Sequence, residues 1–162
     1  MQPRPPLTGP GSFQASINTY QAYNIWGGKS LYTVPPAVKV SFNHPYFRGW
    51  GSGDFLRWEY NTIRYLEREG YDVSYSSDVD THERGDLLLS HKGFLVVGHD
   101  EYWSWQMRNN VENARDSGVN LGFFTANTCF WQIRYEPSPV TGDADRTIVG
   151  YKYTALTADP VA

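Results

Sequence analysis

The chain has 162 residues, a formal net charge of −3 at pH 7, 40% hydrophobic residues and 19% charged ones. That length suits one domain with a sizeable core, and an acidic balance with Lys and Arg scattered singly argues against a nucleic-acid partner. One cysteine rules out an internal disulfide, and no stretch approaches the ~20 apolar residues that span a bilayer. The opening Met1-Gln2-Pro3-Arg4-Pro5-Pro6 lacks the apolar run of a signal peptide, so the expectation is a cytoplasmic protein with no membrane partner. Twelve Tyr, eight Phe and six Trp imply either a dense core or an aromatic-lined pocket.

Residues 1–12 are rich in Pro and Gly and read as disordered or extended, leaving 13–162 as the domain. Ser16 to Tyr23 alternates small and polar residues with Ile17 and Tyr20 and reads as a strand. Asn24 to Pro36, with Gly27-Gly28 and Pro35-Pro36, is a bent loop. Val38 to Phe42 alternates as a second strand, stopped by Asn43-His44-Pro45. Asp54 is placed to cap a helix whose Leu56, Tyr60, Ile63 and Leu66 recur at helical spacing, with Gly70 ending it. Tyr71 to Tyr75 follows as a strand. Asp78-Val79-Asp80-Thr81 reads as a turn before a short helix around 83–90; its Asp-x-Asp pair resembles a cation loop but is explained by turn-forming Asp. Gly93 to Val97 is apolar throughout, as in a strand buried on both faces. Ser104 caps a helix carrying Met107, Val111 and Ala114 and ending at Gly118. Val119 to Phe124 and Phe130 to Tyr135 are extended, 136–146 is a polar loop, and 148–154 is a last strand.

Strands and helices alternating between residues 38 and 125 predict an α/β three-layer sandwich with a mainly parallel sheet of flavodoxin-like kind. The ending Asp159-Pro160-Val161-Ala162 has no terminating element and reads as a truncation. In a parallel sheet all the carboxyl ends share one edge, which is where ligands bind. Tyr23-Asn24, Asn43-His44, Asp78 and Asp80, His99 with Glu101, and Asn127 with Cys129 would converge there. His99 and Glu101, two apart beyond a strand end, can face one cavity while Asp100 points away; an imidazole and a carboxylate can hold a metal or act as acid and base. The competing reading has Asp100 and Glu101 merely capping the helix near Ser104. Asn127 could orient a substrate amide, or could be a left-handed turn residue. Cys129 lacks the flanking glycines of a nucleophile elbow and reads as a structural thiol.

Several stretches together resemble the N,N-dimethylformamidase beta subunit-like C-terminal domain family: Tyr20-Gln21-Ala22-Tyr23-Asn24 with Gly27 to Tyr32, Phe55 to Tyr60, Leu66 to Val73, Gly98-His99-Asp100-Glu101-Tyr102-Trp103 and Ala126 to Arg134. The resemblance covers roughly residues 16–155. It implies a fold like that of class I glutamine amidotransferases and hydrolysis of the C–N bond of a small amide of the formamide type. It also implies a mononuclear iron held by tyrosine phenolates and one glutamate. Carried over, Glu101 is the glutamate ligand, His99 the nearby histidine, and Tyr23 (with Tyr20 as the alternative) one tyrosine ligand. Asn127 matches a polar pocket residue and Lys152 a lysine. The second tyrosine ligand of the family is expected upstream of this segment. A small partner subunit and a homo-oligomer are implied too. The alternative is a non-catalytic truncated domain serving as a binding or assembly module.

Overall fold

The computed structural model describes residues 10–49, 51 and 53–161. The chain opens with β1 (Gly11–Ala15), so Gly11 and Ser12 belong to a strand, while residues 1–9 lie outside the described residues. The next element departs from expectation: Ile17–Tyr23 is helix α1, not a strand. Its pattern misleads because Asn18, Thr19 and Gln21 are buried together with Tyr20 and Ala22. The polar side chains satisfy partners inside the protein; Asn18 donates to the Tyr102 carbonyl and accepts from the Tyr135 hydroxyl.

Then come β2 (Lys39–Ser41), a π-helical turn (Phe55–Glu59) and α2 (Tyr60–Arg68). The face expected to point inward does not all do so: Leu56 and Tyr60 are exposed, Ile63 and Leu66 are half-buried, and the π turn instead buries Glu59. Gly70, at φ +74°, closes the helix as expected, with its N–H donating to the Glu67 carbonyl. β3 (Val73–Ser77) follows. α3 (Asp78–Glu83) occupies the stretch read as a turn, capped by Ser77 through a reciprocal bond with Asp80. A 3₁₀ segment (Gly85–Ser90) leads to β4 (Gly93–His99), and the short β5 (Tyr102–Ser104) to α4 (Trp105–Asp116). The chain continues through β6 (Asn120–Ala126), β7 (Trp131–Glu136) and β8 (Thr147–Val149) to a 3₁₀ turn (Lys152–Thr154) and α5 (Ala155–Ala158).

The molecule is a mixed α/β protein with two four-stranded sheets. One is wholly parallel, in the order β3-β1-β4-β6. The other is mixed, in the order β2-β8-β7-β5, where β5 and β7 run parallel and the rest antiparallel. The alternation read from residue 38 onward therefore starts one strand late: β2 joins the mixed sheet, and β1 is a central strand of the parallel one. β1 escapes notice because a five-residue central strand is buried on both faces and here includes Ser12 and Gln14.

Each sheet has its own apolar core. Phe94 and Val96 of β4 pack with Trp103, Met107, Val111 and Ala114. Leu31, Val40, Tyr102, Ile133 and Ile148 fill the second. Among the described residues no helix is long and apolar enough to cross a membrane.

Candidate functional site

From β1 the parallel sheet grows outward to β3, then returns across β1 to β4, so its winding reverses between β1 and β4. A crevice opens at the carboxyl ends of strands where the winding reverses. α1 leaves β1 here, and Asp100-Glu101 leave β4 as the link into β5 and hence into the mixed sheet. Glu101 thus stands at the seam of the two sheets. Its backbone N–H donates to Thr19 Oγ1 over 2.9 Å, and only 4% of the residue is exposed.

Four side chains meet this carboxylate. The Tyr23 hydroxyl donates to Oε2 over 3.0 Å, and His99 Nε2 lies 3.4 Å from the same oxygen. The Tyr32 hydroxyl donates to Oε1 over 2.6 Å, and the Trp131 indole Nε1–H donates to Oε1 over 2.9 Å. The Tyr102 hydroxyl donates in turn to Tyr32 over 2.7 Å. The Tyr23 and Tyr32 rings stack with centroids 4.0 Å apart and planes at 22°. Lys152 Nζ sits 3.3 Å from the Tyr32 ring centroid and donates to the Leu31 carbonyl.

Local folding explains the gathering. Gly27 and Gly28, at φ +80° and +87°, turn the chain sharply after α1. The Leu31 N–H then bonds to the Ala22 carbonyl, its side chain enters the second core, and Tyr32 is set beside Tyr23. Burial is the first cause of the phenol shifts: Tyr23 is pushed up to about 12, and Tyr32 is raised by burial and then by its bond to Glu101. Burial lowers Lys152 to about 8, with Glu101 working in the opposite direction.

The two tyrosines weighed as ligands separate cleanly. Tyr23 faces Glu101, whereas the Tyr20 hydroxyl donates to buried Glu59. Around Glu59 lies a second acid cluster with Asp78 and Asp100. Burial raises Glu59 and Asp100 to about 7 and Asp78 well above its ordinary range. Asp100 indeed turns away from Glu101, accepting from Trp103 Nε1–H over 2.7 Å and from Gln14. Oδ1 of Asp78 and Oδ1 of Asp100 have no donor from the protein. Burial first, and then the charge of Asp100, disfavour the ionised form of Asp78. Neither Asp100 nor Glu101 caps α4; the Ser104 hydroxyl does, accepting from the Met107 N–H.

Other positions expected at the rim lie elsewhere or apart. Asn43 and His44 follow β2, in the mixed sheet; His44 bonds to Gln21 and Asn24. Asp80 is taken up by Ser77 and Arg84. Asn127 is an exposed turn residue at φ +54° after β6, and its side chain makes no hydrogen bond among the described residues. Cys129 is half-buried against the first core, and burial raises its thiol. A cavity of about 260 Å³ lined by Ser74, Arg84 and His91 includes none of the residues around Glu101.

Sequence reasoning missed Tyr32, Trp131 and Thr19 as partners of Glu101. Tyr32 lies in a loop without periodicity, and Trp131 reads as a sheet aromatic; the signal available was their place in the matched stretches. Among the described residues no three His, Cys, Asp or Glu side chains gather as a metal site. The oxygen donors at Glu101 are instead one carboxylate and the phenols beside it. Such hard oxygen donors are of the chemistry that ferric iron takes, and Tyr23 and Glu101 lie within hydrogen-bond distance of each other.

A family model described as N,N-dimethylformamidase beta subunit-like, C-terminal, matches residues 4–162. The N,N-dimethylformamidase beta subunit of Paracoccus aminophilus is 25% identical over 122 residues, covering 75% of this chain and 16% of that protein. The chain therefore spans a small part of that relative's length.

Proposed function

The chain belongs to the N,N-dimethylformamidase beta subunit-like family, and on that premise we propose that it hydrolyses the C–N bond of a small formamide-type amide at a mononuclear iron site. The observation that carries this reading is a nearly buried carboxylate, Glu101, that takes a phenol on each of its oxygens beside an imidazole. The strand order β3-β1-β4-β6 also supports a flavodoxin-like sheet of the class I glutamine amidotransferase kind.

Tyr23 and Glu101 would hold the iron, which when bound supplies a Lewis acid for the amide carbonyl or for water. Trp131 and Thr19 keep Glu101 in one orientation. His99 would take the proton from the water that adds to the carbonyl carbon and deliver it to the amine as the C–N bond breaks. Asn127, on the turn after β6, would position the amide, and the carboxylic acid and amine would leave as products. The name of the relative as a beta subunit supports assembly with a partner subunit; a small partner and a homo-oligomer are part of this proposal on the family resemblance alone.

The iron-loaded chain is expected to release dimethylamine from N,N-dimethylformamide, and Glu101→Gln to lose both the metal and this activity. A Glu101→Gln protein that retains both overturns the reading.

A further inference from the structure

We infer that Ser74 and His91 form a second reactive site, a serine nucleophile with its imidazole base, that cleaves small carboxylic esters. The pair lines the cavity of about 260 Å³ that includes none of the residues around Glu101. The two-residue period of β3 puts Ser74 and Ser76 on one face of the parallel sheet, and the register sets Ser12 of β1 beside Ser74. The 3₁₀ segment (Gly85–Ser90) brings Leu87 and Leu88 to the same cavity, with His91 directly after it.

The hydrogen bonds fix the roles. His91 Nδ1 lies 2.8 Å from the Leu87 carbonyl, which can only accept, so the neutral ring carries its proton on Nδ1 and donates it there. Nε2 keeps its lone pair, and the Ser74 hydroxyl donates to it over 2.6 Å. Nucleophile, base and orienting acceptor thus stand in series, the acceptor being a main-chain carbonyl. The Ser12 and Ser76 hydroxyl oxygens lie 3.3 Å apart, and the bond between them uses one of their two protons. The other can donate to an oxyanion formed beside Ser74. Leu87 and Leu88 give the cavity an apolar wall suited to a short acyl chain. Ser74 Oγ adds to the ester carbonyl carbon as its proton passes to His91 Nε2. The C–O bond then breaks, and that proton leaves with the alcohol. Water, giving a proton to Nε2, attacks the acyl-serine; the carboxylic acid departs and Ser74 Oγ recovers the proton.

Treating the full chain with a fluorophosphonate probe in the presence of a chelator, and locating the adduct by peptide mass spectrometry, tests this. The wild type is expected to take one phosphonyl group, on Ser74. It should also release p-nitrophenol from p-nitrophenyl butyrate, and Ser74→Ala should lose that release. His91→Gln keeps a hydrogen-bond acceptor for Ser74 but no base, and should label at least about 100-fold more slowly. An unlabelled wild type, a label only on another residue, ester hydrolysis that survives Ser74→Ala, or full-rate labelling in His91→Gln would each overturn the inference. The wild-type adduct decides the matter even if either variant fails to fold, and no outcome bears on the iron-site reading.

Discussion

Trp131 holds Glu101 twice: its backbone N–H donates to the Glu101 carbonyl over 2.8 Å, and its indole Nε1–H donates to the side-chain Oε1 over 2.9 Å. The first bond belongs to the edge where β7 runs parallel to β5, and the second reaches into the site. A sheet contact thereby fixes the rotamer of the central carboxylate. Partners of this type around a metal ligand are worth about 10- to 100-fold in affinity. Trp131→Phe keeps the ring and the backbone bond but deletes the indole donor. It is expected to weaken iron binding by about tenfold or more, measured by competition with a chelator, with little change in melting temperature.

Glu59 gives the fold a pH dependence separate from the site. Burial raises its carboxyl from an ordinary value of 4.5 to about 7. Between those values the folded chain keeps a proton that the unfolded chain has released. The contribution of Glu59 to stability is therefore full below about pH 4.5, declines as pH rises towards 7, and is lost above it. A shift of this size corresponds to roughly 3 kcal/mol. Glu59→Gln, which still accepts from the Tyr20 hydroxyl, should flatten much of that decline in urea melts at pH 5 and pH 8. Asp100, raised to about 7 by burial, leaves a residual slope in the same direction.

Gly98 sets the end of β4 just before His99. It lies at φ +95°, and a Cβ there would come within 2.8 Å of the Trp58 Cβ. Gly98→Ala combines a left-handed backbone with a clash against the π turn, and is expected to cost about 2–4 kcal/mol. Thermal unfolding reads this directly. A variant within about 0.5 kcal/mol of the wild type would show that the turn yields freely.

The parts of the fold that the sequence displays are those with conventional patterning. The apolar run of β4, the Ser104 cap with Met107, Val111 and Ala114 inward, and Gly70 as a helix end all appear where expected. β1 and α1 did not show themselves, because Ser12, Gln14, Asn18, Thr19 and Gln21 are polar yet buried. Periodicity assumes that polar residues face water, and these face one another. Within the site, the spacing of His99 and Glu101 was readable because residues two apart beyond a strand end share a side, with Asp100 turned to Trp103. Tyr32 and Trp131 were not readable as partners. They reach Glu101 from 69 and 30 positions away, through a glycine-turned loop and a parallel strand pair that leave no local pattern.

We propose that Glu101 and Tyr23 hold an iron ion at the seam of the two sheets. Anomalous diffraction at the iron absorption edge, from crystals of the chain grown with ferric iron, tests it most directly. One strong peak is expected at bonding distance, about 2 Å, from the Tyr23 hydroxyl oxygen and the Glu101 carboxylate. A peak elsewhere, or none at Glu101 in iron-loaded crystals, would contradict it.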